Sequence, residues 1–196
     1  GLLADRNVLP YCDYTSPWWN RHCKEKLTIG DMLPFMSGSI LISEIDDTLA
    51  MVYNKDIATE YQIENLYDVV REGRWTVEYM TGIIKEISRD LNGDSQYVVG
   101  DDLFGYVQDP ASMTTNWVFA SDLVNGYIDT DGKWQDNVDM ERAQELCDKM
   151  SAIFGSGNFA YTGTDLYEGL NYFEENKIFL YAIILRNVEL LREMDV

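Results

Sequence analysis

The feature that most constrains this chain is an apolar run late in the sequence, Ile178-Phe179-Leu180-Tyr181-Ala182-Ile183-Ile184-Leu185. It is far shorter than the roughly 20 residues a membrane-spanning helix needs, and its β-branched and aromatic content reads as a strand buried on both faces. Such a strand needs cover on both sides, and the rest of the chain supplies it. Met140 to Phe154 has Ala143, Leu146, Cys147, Met150 and Phe154 at helical spacing, and Thr76 caps a second stripe of Tyr79, Met80, Ile83, Ile84 and Ile87. Shorter helices are expected over Asp56–Tyr61, Glu64–Glu72 closed by Gly73, Trp117–Val124, Asp165–Glu175 and Asn187–Met194. Further strands are expected at Ser39–Ile45, Leu49–Tyr53 and Phe104–Gln108, and Asp131-Gly132 marks a hairpin between Tyr127 and Trp134. Strands alternating with helices give an α/β layer structure, a short mixed sheet flanked by helices.

Residues 1–36, broken by Pro10, Pro17, Gly30 and Pro34, read as a connecting segment, and 37–196 as the α/β domain. Pro110–Thr115 and Gly155–Gly163 read as loops. The opening Gly1-Leu2-Leu3-Ala4-Asp5-Arg6 lacks the basic start and apolar run of a secretory signal.

Charge removes several function classes. With 15 Lys+Arg against 34 Asp+Glu the net charge is −19, which repels phosphate backbones and anionic lipid heads, so neither nucleic acid nor a membrane surface is an expected partner. Hydrophobic residues at 46% supply a core and argue against disorder. Cys12, Cys23 and Cys147 are odd in number and lack close spacing, which excludes a disulfide framework and a thiolate zinc site. Cys147 reads as a small packed hydrophobe. With His22 the sole histidine, imidazole metal centres and most His-based catalysis are unpromising, and metal chemistry would be oxygen chemistry. Five Trp, 13 Tyr and seven Phe suggest a polar ligand surface floored by rings, although most of these rings belong to the core.

The oxygen-ligand candidate is the stretch from Asp90 to Asp101. Asp90, Asn92, Asp94 and Asp101 occupy positions one, three, five and twelve, with the Gln96 carbonyl at seven, the pattern of a calcium loop. The spacing resembles an EF-hand or dockerin loop. Ser95 stands where glycine is usual, and Asp101 where EF-hands close with glutamate, although dockerin loops by resemblance close with aspartate. An acidic turn capping a helix accounts for the same residues without metal.

Several phrases together resemble family 1 extracellular solute-binding proteins, the receptors of ABC importers. Met51-Val52-Tyr53-Asn54-Lys55-Asp56-Ile57 followed by Arg74-Trp75-Thr76 is similar to the family's "YNKDL … W-T" stretch. Asp129-Thr130-Asp131-Gly132-Lys133 ahead of a long helix is similar to its "D-x-D-G-K", and Phe173-Glu174-Glu175-Asn176-Lys177 ahead of an apolar strand to its "F-x-x-G-K". Full-length members have two lobes, a lipoprotein signal and a "G-x-x-P-x-P" stretch, none present here, so the resemblance implies a portion carrying most of the second lobe of a periplasmic-binding-protein-like fold.

By the same resemblance, residues 1–36 connect the lobes, with Trp18 and Trp19 packing against the crossing segment. The full-length protein would be an extracellular cell-surface lipoprotein working with ABC permease subunits, not an enzyme, and its solute a sugar held in the cleft between lobes. Three places would contribute: Glu44, Asp46 and Asp47; Asn116, Trp117 and Phe119; and Arg186 with Asn187. Trp117 could equally be core, Asp46-Asp47 could cap a turn, and Arg186 after a buried strand needs a ligand or an ion partner. A calcium-dependent cell-surface interaction module is the alternative. A glycosidase would need two carboxylates at a defined separation, which a sequence does not display.

Overall fold

A computed structural model describes residues 3–108, 114–123, 126–155, 157, 159–162 and 168–193. The chain divides into two compact units, Gly1–Leu49 with Ile184–Glu189, and Ala50–Ile183 with Leu190–Val196.

The larger unit is built on a four-stranded sheet. Its strands are β1 (Leu49–Tyr53), β2 (Phe104–Gln108), β5 (Ala160–Thr162) and β6 (Ile178–Ile184), in the order β1-β6-β2-β5. A separate hairpin pairs β3 (Gly126–Ile128) with β4 (Trp134–Asp136). β2 is parallel to both neighbours, with Phe104 opposite Ile178, Tyr106 opposite Leu180 and Ala160, and Gln108 opposite Ala182 and Thr162. The sheet is mixed, because Asn54 N donates to Phe179 O and Leu185 N to Thr48 O, so β1 runs antiparallel to β6. All of β2 and the first six residues of β6 are buried, as parallel strands covered on both faces should be.

Helices α3 (Lys55–Glu60), α4 (Leu66–Arg71), α5 (Val77–Ile87), α6 (Thr114–Ala120), α7 (Met140–Phe154) and α8 (Glu168–Glu174) complete this unit. Thr76 Oγ1 accepts from Tyr79 N and Asp139 Oδ1 from Arg142 N, so the two longest helices start at side-chain caps. Their apolar stripes meet the sheet in one core containing Ile84, Ile87, Tyr106, Ile153, Phe179 and Leu180. Gly105 is the contact point: a Cβ there would overlap the carbonyl oxygen and Cα of Ile84, so only glycine lets α5 lie this close to β2.

Several expectations are corrected. Cys147 is exposed, and Leu146 and Ile153 are the buried residues of α7. One residue turns the helix by about 100°, so Cys147 cannot share a face with Leu146. Within the loop expected at 155–163, Ala160–Thr162 is a strand: three residues carry no readable period, and the strand forms through its partner β2. The last expected helix is a run of 3-10 turns, Leu185–Glu193, in which half-buried Val188 and Leu191 stand three residues apart, as three-fold winding requires. Fewer rings are core than expected: Phe104, Tyr106, Phe179 and Tyr181 are fully enclosed, but Trp18, Tyr67, Phe119, Tyr127 and Trp134 are exposed. Of the loop expected over Pro110–Thr115, Thr114 and Thr115 instead begin α6 and the rest lies outside the described residues, as do the start expected at Asp165 and the end at Met194.

The smaller unit is more ordered than the connecting segment expected over its first 36 residues. It holds a 3-10 turn at Arg6–Val8, α1 (Arg21–Leu27) and α2 (Ile42–Asp46), and a buried cluster of Tyr14, Leu33 and Met36 against which Trp19 and Cys23 pack. Tyr14 and Trp19 meet edge to face with centroids 5.2 Å apart. Asp5 Oδ1 accepts from Asn7 N and Leu33 N, and Gly38 is packed so closely on the Trp18 carbonyl that a side chain would overlap it. Helix α2 replaces the strand expected at Ser39–Ile45. The apolar alternation there has no partner strand among the described residues, whereas Thr48 Oγ1 bonding to Glu44 O and Asp47 N to Ser43 O favour the helix.

Candidate functional site

Because β2, β5 and β6 are parallel, their carboxyl ends share one edge of the sheet, the edge at which open α/β sheets bind ligands. The last residue of β2, Gln108, is 1% exposed, and its Oε1 accepts from the Tyr106 hydroxyl at 3.0 Å and from Trp117 Nε1 at 3.1 Å. Burial pushes the Tyr106 phenol up, so it stays a protonated donor. Trp117 projects from α6, meets Tyr106 edge to face at 6.3 Å, and is half-buried. One buried amide therefore fixes the orientation of the indole.

Trp117 lines a groove of about 390 Å³ between α5, α6 and α7, with Val77 and Leu146 supplying apolar lining. Arg142 and Lys149 reach the same groove from α7, seven residues and thus two turns apart. Lys149 Nζ lies 2.7 Å from Glu145 and 3.1 Å from Glu78, and these bonds, Glu145's first, raise its pKa. Arg142 is less fully engaged: its Nη1 is 3.4 Å from Ser121 O and 3.7 Å from Asp122. The groove thus offers a ring and an apolar floor beside donors and acceptors, which suits a small molecule with one C–H face and one polar edge.

No protein-family model, curated protein or solved structure matches this chain.

The expected site residues fall in two groups. Asn116, Trp117 and Phe119 share α6 in the larger unit: Asn116 is half-buried, Phe119 is 57% exposed, and of the three Trp117 lines the groove. Asp46, Asp47, Arg186 and Asn187 belong to the smaller unit. There the structure joins Asp47 to Arg186, Oδ1 to Nη1 at 3.1 Å, both about half exposed. Arg186 therefore has the ion partner that its position demanded. Asp46 ends α2, half-buried, Asn187 is half-buried, and Glu44 lies in the first turn of α2.

The residues carrying the family resemblance are structural in this chain. Asn54 caps α3 by accepting from Asp56 N and Ile57 N, and its Nδ2 donates to Asn176 Oδ1 at 2.5 Å, tying two of the quoted phrases across the fold. Asp129 folds its hairpin by accepting from Lys133 N, Asp131 N and Gln135 Nε2, bonds that lower its pKa.

In the acidic loop, Asp90 accepts from Gly93 N and Ser95 N, Asn92 from Asp94 N, and Asp94 from Gln96 N. Ser95 adopts φ 65°, the left-handed conformation for which calcium loops reserve a glycine at this position. Among the described residues no three His, Cys, Asp or Glu side chains are grouped to hold a metal ion. Asp101 is exposed, and it is the next residue, Asp102, that closes the loop: fully buried, it accepts from Leu91 N at 2.9 Å and Val98 N at 2.8 Å.

Sequence reasoning passed over Gln108, Arg142, Lys149 and Asp102. Gln108 could be found as the polar residue ending an apolar strand, and the two cations by their two-turn spacing in so acidic a chain. Asp102 carries no local signal, since its partners are backbone amides brought to it by the loop.

Proposed function

We propose that this chain carries one lobe's share of the ligand cleft of an extracellular solute-binding receptor that feeds an ABC permease, with a carbohydrate as solute and no catalysis. The observation that carries the reading is Trp117: a half-buried indole, oriented by buried Gln108 beyond the carboxyl end of a parallel strand, beside charged groups in a groove of about 390 Å³. A sugar presents an apolar C–H face to such a ring and hydroxyls to the flanking side chains. The mixed α/β sheet agrees with a periplasmic-binding-protein-like lobe.

Two tests bear on it. Sequencing the gene beyond both ends should reveal a lipobox upstream and a proline-rich stretch downstream. Calorimetry of this chain against an oligosaccharide panel should show binding in the millimolar range or weaker, because in this reading one lobe holds only its own share of the cleft. Micromolar binding would place the whole site within one lobe and overturn the two-lobe cleft.

A second reading, a calcium-dependent cell-surface interaction module, is favoured by the φ of 65° at Ser95. Calcium bound at Asp90, Asn92, Asp94, the Gln96 carbonyl and Asp101 would stabilise the native state by mass action. Melts with calcium and with chelator should then differ, and Asp94→Ala should remove the difference. Identical melts at millimolar calcium would leave the loop a plain turn.

A further inference from the structure

We propose that the groove between α5, α6 and α7 takes a carboxylate-bearing sugar, its carboxylate on the Arg142 guanidinium and its ring against Trp117. This rests on the saccharide reading above and adds to it the acidic class of the ligand and the residue that selects it.

Two arginines of the chain show what an occupied and an open guanidinium look like. In Arg74, Nε meets Glu72 at 2.8 Å, and Nη1 and Nη2 fork onto Glu64 at 2.8 and 2.6 Å. In Arg142, Nη1 makes one long bond to a carbonyl and one long ion pair, and Nε and Nη2 make no hydrogen bond to any described residue. The free edge of Arg142 is the Nε–Nη2 fork, whose spacing matches the two oxygens of a carboxylate.

The neighbours make this fork available. Lys149 Nζ holds both Glu145 and Glu78, so those two acids face that ammonium rather than Arg142, although its single charge offsets only one of them. Asp122, at 3.7 Å and 85% exposed, is a weak competitor that an incoming carboxylate can outmatch with a shorter, two-bond contact. The net charge of −19 opposes anions at long range, but salt screens exposed charges beyond about 8 Å at physiological ionic strength. Within the groove Arg142 and Lys149 stand against Asp122, Glu145 and Glu78, so it is the geometry of the open fork, not net charge, that selects a carboxylate. Trp117 cannot swing to follow the ligand because Gln108 holds its Nε1, so ring and fork form a fixed pair of anchors. At about 390 Å³ the groove sits toward the small end of small-molecule sites, which run from about 300 to 1,000 Å³.

The test is NMR on the ¹⁵N-labelled full chain, following the Trp117 indole N–H, assigned through Trp117→Phe, and the Arg142 side chain. Glucuronate, galacturonate, glucose and acetate are titrated to high millimolar concentration. The uronates should move both signals saturably and bind about tenfold more tightly than glucose, the difference between a charge-assisted pair of bonds and neutral ones. Arg142→Gln should remove that advantage and bring uronates to the level of glucose, with the melting temperature unchanged because the side chain is half exposed. Equal binding of glucose and uronates with shifts at Trp117 would overturn the acidic class while leaving the saccharide reading in place. Acetate shifting Arg142 as strongly as the uronates, with Trp117 unmoved, would reduce the site to an exposed cation and overturn the proposal. Sugar-induced shifts confined to other tryptophans would overturn the groove but keep the receptor. No response to any sugar would overturn the proposal, and the sequence flanking the gene would then decide the receptor reading separately.

Discussion

The two compact units solve the burial problem to different degrees. In the larger, two amphipathic helices and a sheet enclose Ile84, Ile87, Tyr106, Ile153, Phe179 and Leu180 at 0–1% exposure. In the smaller, the buried hydrophobic cluster is Tyr14, Leu33 and Met36, while Val8, Ile42 and Ile45 are left 76%, 74% and 56% exposed. What holds the smaller unit is largely capping: Asp5 gathers two backbone amides, Asp13 accepts from Thr15 and Ser16, and Asn20 caps α1. Individual hydrogen bonds add about 0.5–1.5 kcal/mol each, whereas a buried aliphatic side chain adds about 1.5–3 kcal/mol, so stability should be concentrated in the larger unit.

The most damaging expected change is Ile84→Ala, a fully buried residue at the α5–β2 contact, which should cost about 2–5 kcal/mol in chemical denaturation. Leu33→Ala is equally buried but belongs to the smaller unit. It should leave the main transition near its place and speed amide exchange within the smaller unit alone. Equal losses in the two variants would break the comparison, and the chain would have to be treated as one cooperative body.

Next comes Asn54→Ala. Removing a 6% exposed side chain that caps α3 and bonds Asn176 leaves two amides and a partner amide unmatched, at about 1–3 kcal/mol. A loss no larger than that of an exposed cap, such as Asn65→Ala on α4, would show that the Asn54–Asn176 bond contributes nothing.

The smallest effect is a pH dependence. The bidentate Arg74 bond, with Tyr79 adding a third donor, holds the Glu64 carboxyl at about 2, against an ordinary 4.5. A depressed carboxylate stabilises the fold above its unfolded pKa, so this contribution is intact above about pH 4.5 and fades as pH falls toward 2. Glu64 is exposed, and solvent screening keeps the effect small. Melting curves between those pH values should fall less steeply for Arg74→Met than for the parent. Parallel curves would show that the pair does not contribute.

What could be read in advance follows the same division. Ile178–Ile184, Met140–Phe154 and the Thr76 cap were legible because each is a local pattern rewarded by the core it faces. Ala160–Thr162 was not, because three residues become a strand only when β2 lies beside them. Ser39–Ile45 misled because Ile40 and Ile42 alternate as a strand's would, yet both are exposed, and Ile42–Asp46 is a helix. At the site, an indole after a strand could be anticipated, and so could the need of Arg186 for a partner. The choice of Asp47 as that partner, the hold of Gln108 on Trp117, and the open fork of Arg142 depend on neighbours distant in sequence or on geometry that residue types alone do not carry.

The Asp102 carboxylate, by gripping Leu91 and Val98 at once, makes the stretch between them a closed ring hung from a buried hook. Apart from Tyr97, which rests on Phe104 of β2, such a ring carries its contents outside the body that bears it. Residues 92–96 are therefore a natural graft point: a foreign peptide spliced between Leu91 and Tyr97, which stays because it packs edge to face on buried Phe104, would be displayed away from the sheet with its ends held together by Asp102.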